Sequence, residues 1–146
     1  MKARHQARIV ALQALYEIDS TNHAPAIVME QRLAATQLSK SATAFSHHLV
    51  NGVLDYQTVL DIFIHRHAPE WPLEQMAYID RNILRIAIFE FAVDGQTPMK
   101  VAINEAVELA KEFGSDSAPR FVNGVLGTLV EHTGAIAQAT KDAKET

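Results

Sequence analysis

Apolar residues recur along this chain at three- and four-residue intervals, and no segment alternates cleanly with the two-residue period of a half-buried strand. The pattern predicts an all-α protein, a compact helical bundle of about seven helices. The first is expected from about Ala3 to Asp19. At steps of about 100° per residue, Ile9, Leu12, Leu15, Tyr16 and Ile18 with the alanines cover most of its circumference. Gln6, Gln13 and Glu17 leave only a narrow polar strip, so this helix belongs at the centre. A second helix is expected over Ala24 to Leu38, with Pro25 tolerated in its first turn. A long third one reaches about His67, with Ser41 read as its N-cap. Pro69 and Pro72 interrupt the pattern around Trp71, leaving a short helix near Leu73 to Met76. The next runs from Asp80 to Val93 and stops at Asp94-Gly95. Thr97-Pro98 starts another, which ends at Gly114, and Ser117 is placed to cap the last, Ala118 to about His132.

The string VNGVL occurs twice, at Val50 to Leu54 and Val122 to Leu126. Each copy follows a helix containing Arg-Ile, Arg8-Ile9 in one half and Arg85-Ile86 in the other. Two related three-helix subdomains, about residues 1-68 and 69-134, are the natural interpretation, with 135-146 as a polar tail. Glycine inside a helix costs about 1 kcal/mol relative to alanine, so its presence in both copies points to close helix–helix approach.

Composition narrows the function. With 146 residues, 48% hydrophobic, the chain can bury a core as one domain without cross-links. The absence of cysteine removes disulfides, zinc–thiolate sites and thiol nucleophiles. No apolar run has the length of a signal peptide or a membrane span, so a cytoplasmic protein with no membrane partner is expected. Net charge is −4, yet residues 1–16 carry Lys2, Arg4 and Arg8 and no acid; taking that +3 from −4 leaves −7 on the rest. A basic arm on an acidic body suits a local polyanion contact.

Candidate chemistry is sparse. Glu105 falls on the apolar side of its helix, between Ala102 and Leu109, and Arg85 sits between Leu84 and Ile86 in an apolar helix. Isolated buried charges are costly, so these two are expected to pair as a structural bridge. His65 and His67 diverge by about 200° around a helix, and His47 and His48 also point apart, so no metal site is expected. No HExxH, glycine-rich phosphate loop or nucleophile elbow occurs, no cofactor is implied, and the chain reads as a non-enzyme. Two surfaces remain for binding. Phe113-Gly114-Ser115-Asp116-Ser117 offers an aromatic, a turn and hydroxyls of the kind that contact unpaired bases and phosphates. The segment around His65, His67 and Trp71 is the second.

Four strings carry a family resemblance: RIVALQALY from Arg8 to Tyr16, ILRIAIFEF from Ile83 to Phe91, KVAINEAVELAKEFG from Lys100 to Gly114, and FVNGVL from Phe121 to Leu126. In this order and spacing they resemble the NusB family, over Ala3 to about Val130. The resemblance implies an all-α fold of two three-helix subdomains and a role in transcription antitermination. It implies binding of boxA leader RNA as a heterodimer with the ribosomal protein NusE, within an RNA polymerase antitermination complex that reads through ribosomal RNA operons. It places RNA contacts on an arginine-rich N-terminal motif, here Lys2, Arg4, His5, Gln6 and Arg8, and on the loop of Phe113, Ser115, Asp116 and Ser117. Asp80 and its helix are implied for the partner face, and some members self-associate as homodimers through the face that otherwise meets RNA. The motif is thin here, because His5 and Gln6 stand where other members carry arginine. Two alternatives stand beside it. One is a protein-interaction bundle that has lost RNA contact. The other is the NusB-like domain of RNA cytosine methyltransferases, disfavoured because no cofactor-binding domain follows.

Overall fold

A computed structural model describes residues 2–68 and 75–145, and among these every regular element is helical. Helix α1 (Lys2–Ser20) is the central element. Its Ala7, Val10, Ala11, Leu12, Ala14 and Leu15 are at most 1% exposed, whereas Tyr16 stays 41% exposed at the edge of the expected apolar face. It packs against α2 (Pro25–Ala34), α3 (Lys40–His67) and α4 (Tyr78–Ile88). Pro25 occupies the first turn of α2, where its missing N–H costs nothing, and that helix ends four residues earlier than expected, at Ala34 rather than Leu38. The cap of α3 is Ser39, not Ser41: Ser39 is extended, and its Oγ accepts the Ala42 N–H at 3.1 Å. Both serines are cap-type residues, but only the outer one keeps non-helical backbone. Trp71, Pro69, Pro72 and the first two residues of the expected helix at Leu73 to Met76 lie outside the described residues.

Helix α4 does not stop cleanly. It widens into a π-helical segment, Phe89–Asp94, closed where Gly95 N–H reaches Glu90 O at 3.1 Å and Gly95 takes φ +71°. Helices α5 (Met99–Phe113) and α6 (Ala118–Leu129) pack on α4 and on each other. A 3-10 turn, Val130–His132, leads into α7 (Thr133–Glu145). The segment expected as a polar tail is thus helical. It lies on α3 and the π segment, with Ile136 fully buried.

The two VNGVL glycines differ in role. A Cβ on Gly52 would collide with the Phe89 ring, whereas one on Gly124 would meet nothing within 4 Å. Gly52 is the close approach read from the repeat. It admits the Phe89 ring that the π segment pushes toward α3, where Tyr56 stacks on the same ring at 6.5 Å between centroids. Tyr56 marks the kink in α3 (φ −112°, ψ 16°).

Candidate nucleic-acid interface

The first turns of α1 meet the length of α5 through side chains. His5 Nδ1 lies 2.8 Å from Glu105 Oε2, and its Nε2 lies 2.6 Å from Glu112 Oε1. One turn on, Arg8 Nη1 is 3.4 Å from Glu105 Oε1. The last turn of α5 carries Glu112 and Phe113, so the basic start of the chain and the Phe113–Ser117 loop occupy neighbouring positions. The Glu105 hydrogen bond, opposed by burial and helped by Glu112, raises the His5 pKa above its ordinary value.

The arm's charges divide into two classes. Arg4 is exposed, with its guanidinium 4.0 Å from the Phe45 ring centroid, and it forms no ion pair among the described residues. Stacking holds the fork in place while leaving its N–H groups free to donate. Gln6 is also exposed. The Lys2 side chain lies outside the described residues. Arg8, expected with them, points inward: it is 4% exposed and grips Glu90, itself 1% exposed, through Nε at 2.9 Å and Nη2 at 2.7 Å. Thr97 Oγ1 donates to the same carboxylate at 2.8 Å, so Glu90 is fully engaged. Arg8 is a fold residue here, not an open contact.

The expected Arg85–Glu105 bridge does not form. Both residues are paired, but with other partners. Arg85 Nε and Nη2 donate to Asp61 at 2.7 and 2.9 Å, and its Nη1 donates to Asp19 at 3.0 Å and Asn82 at 3.1 Å. Glu105 belongs to His5 and Arg8 instead. The reason is orientation: Arg85 faces α1 and α3, whereas Glu105 faces the N-terminal turns of α1. Asp19 collects Arg81, Asn82 and Arg85 at the other end of α1. Burial pushes its carboxyl up, but the hydrogen bonds from Arg81 and Asn82 and the nearby arginine charges win and hold it below the ordinary range. Each half of the sequence therefore sends its Arg-Ile arginine to carboxylates of the other half.

The loop after α5 closes around Gly114. A Cβ there would lie 2.5 Å from Ala118 Cβ and 2.9 Å from Ala110 O, so only glycine lets α6 start so near the end of α5. Phe113 is half-buried against the core, and Ser115, Asp116 and Ser117 are exposed. Ser117 stands at the N-cap position of α6 without a side-chain cap bond; its Oγ lies 3.4 Å from Ser115 Oγ. Asp80 comes up beside this loop, its Oδ1 placed 3.4 Å from a Cβ on Gly114. That oxygen is buried without a hydrogen-bond partner among the described residues, and burial pushes the Asp80 carboxyl up. It lines a largely apolar cavity of about 400 Å³ with Met76, Ala77, Ser117, Arg120 and Phe121.

Three of these groups escaped the sequence reading. Arg120 and Phe121 follow Ser117 by three and four residues, the helical spacing that brings them back beside it, and this was the signal available. Phe45, which seats Arg4, had no such signal, because it lies a helix away in sequence. At the other candidate surface, the His67 and His132 rings meet at 4.7 Å between centroids. Among the described residues no group of three or more potential metal ligands forms, and no helix is long and apolar enough to cross a membrane.

The sequence profile of the NusB family matches residues 5–131. The chain is similar to the transcription antitermination protein NusB of Chloroflexus aggregans, 48% identical over 95% of this chain and 94% of that one. It is similar also to that of Roseiflexus castenholzii, 50% identical over 87% and 91%. Among solved structures, T. maritima NusB superposes with a TM-score of 0.78 at 28% identity, covering 98% of this chain and 97% of that one. A structure of antitermination factors NusB and NusE in complex with double-stranded RNA aligns with a TM-score of 0.79 at 25% identity, covering 95% and 98%.

Proposed function

The chain belongs to the NusB family, and from that premise we propose that it is a transcription antitermination factor that binds boxA RNA as one half of a heterodimer with the ribosomal protein NusE. In that role it acts in the cytoplasm, joins the RNA polymerase antitermination complex, promotes processive transcription of ribosomal RNA operons and performs no catalysis. The single domain consists of three-helix subdomains of about 1–68 and 69–134, with α7 packed onto them.

One observation carries the RNA site: His5 bridges from the first turn of α1 to Glu112 in the last turn of α5. A single strand can then touch the arm and the loop together. Arg4 and Lys2 supply phosphate contacts, Gln6 and the loop residues Ser115, Asp116 and Ser117 supply hydrogen bonds, and Phe113 offers a face for stacking. Arg120 and Phe121 extend this surface toward Asp80. Asp80 serves the partner face, beside the cavity that it lines with Ser117, Arg120 and Phe121. Because Arg8 is turned inward and His5 is bound to two carboxylates, RNA affinity of the chain alone is weak and the partner completes the site.

A mobility-shift titration of labelled boxA RNA, with and without NusE, tests this reading. Weak binding alone and much tighter binding with the partner are expected. Partner binding with no RNA retained in either case would favour a pure protein-interaction module instead.

A further inference from the structure

The contact pair on His5 sets a chemical condition. Both ring nitrogens lie within hydrogen-bond distance of carboxylate oxygens, 2.8 Å to Glu105 and 2.6 Å to Glu112. A neutral imidazole has one N–H and one bare lone pair, so it can satisfy only one of two ionised carboxylates; only the imidazolium donates to both. Loss of the proton therefore leaves a lone pair facing an anion at one end, and that contact must open.

Which end opens follows from what else holds each glutamate. Glu105 is also tied to Arg8 at 3.4 Å, and its side chain is 20% exposed. Glu112 has His5 as its ion-pair partner among the described residues, and its side chain is 42% exposed. Glu112 is the end that lets go. It stands directly before Phe113 and the loop, so its released charge faces the RNA path.

We propose that His5 is a proton-controlled clamp on the RNA-binding surface, which holds Glu112 down when protonated and frees it beside the loop when neutral, so that RNA affinity falls as pH rises. The inference rests on the RNA-binding reading above and assigns His5 a positioning role in place of the direct contact implied by the family motif. The other charged groups around it do not compensate. Arg8 is committed to Glu90, Arg4 is seated on Phe45, and Lys111 is paired with Glu108 at 3.2 Å. The direction of the His5 pKa, raised by the same two glutamates, agrees with a clamp that stays closed to higher pH than a free imidazole would.

The test is fluorescence anisotropy of labelled single-stranded boxA RNA with the full chain, from pH about 6 to about 8.5, a window in which histidine alone among unperturbed side chains changes charge. Wild type should lose roughly threefold to fivefold in affinity across that window, the effect of one exposed elementary charge. Glu112→Gln should bind at least as tightly as wild type at low pH and lose less affinity than wild type across the window, and His5→Gln should bind at the high-pH level throughout. Proton NMR of the His5 ring should show a midpoint above the ordinary value of about 6.5 in wild type, returning toward it in Glu112→Gln. A wild-type profile that either variant reproduces unchanged overturns the clamp. Absence of RNA binding by all three proteins at every pH, each also titrated with saturating NusE, overturns the RNA reading itself, and the clamp's effect on affinity with it.

Discussion

Arg8 and Glu90 form a two-point ion pair, 2.9 Å through Nε and 2.7 Å through Nη2, between side chains at most 4% exposed. It joins α1 to the π segment after α4. Thr97 adds a hydroxyl from just before α5, so three parts of the chain meet on one carboxylate. Removing one partner of such a pair strands the other charge in the core.

Arg8→Ala is therefore expected to lose about 3–5 kcal/mol of stability, the usual cost of an orphaned buried charge. Arg4→Ala, four residues earlier, removes only a stacking contact with Phe45 and should lose no more than about 1 kcal/mol. Urea unfolding followed by circular dichroism separates the two. In RNA binding the order reverses: Arg4→Glu weakens affinity with helicity intact.

The VNGVL glycines give a second contrast. Gly52→Ala forces a methyl into three carbons of the Phe89 ring and should destabilise by about 1–3 kcal/mol. Gly124→Ala enters open space in a helix and should stabilise by roughly 0.5–1 kcal/mol. Thermal melts of the two variants should move in opposite directions.

Asp80 carries a pH dependence of definite sign. Its folded pKa is raised by burial, so the folded state binds its proton more tightly than the unfolded chain does. Its ionisation therefore reduces stability as pH rises from the unfolded value through the raised folded one. Asp80→Asn should raise Tm at neutral pH, with the gain shrinking as pH falls through the Asp80 transition. A constant gain at all pH values would mean that the carboxyl is well solvated.

Helix α7 lies wholly past residue 131, where the family match ends, yet Ile136 is fully buried against the rest of the molecule. Ile136→Ala should cost about 2 kcal/mol or more, as a core truncation does. Amide hydrogen exchange of α3 residues beneath it should accelerate in the variant. No change in stability would mean that α7 is a loosely attached tail.

The helical architecture was legible because its signals are local. Apolar periodicity outlines the long helices, and Pro98, Gly95 and Gly114 punctuate them. The resemblance in strings such as KVAINEAVELAKEFG also points to the loop proposed for the site. What stayed hidden depends on how helices face one another. Arg85 and Glu105 both need partners, as their apolar surroundings imply, but their orientation turns each toward α1 rather than toward the other. Arg8 looked like one more positive charge on the arm; only its position facing Glu90 makes it internal. The π segment left no trace either, since FEFAVD continues the apolar pattern of α4 without a break. Phe45 and Glu112 entered the site because folding carried distant residues next to Arg4 and His5.

The account stands on one surface shared by the start of α1 and the loop after α5. Amide chemical-shift mapping with boxA RNA, on the full chain, examines it most directly. The largest changes should fall together on residues 2–6 and on 113–121. Changes confined to the opposite end of α1, around Tyr16, Asp19 and Tyr78, with both of those segments silent, would contradict it.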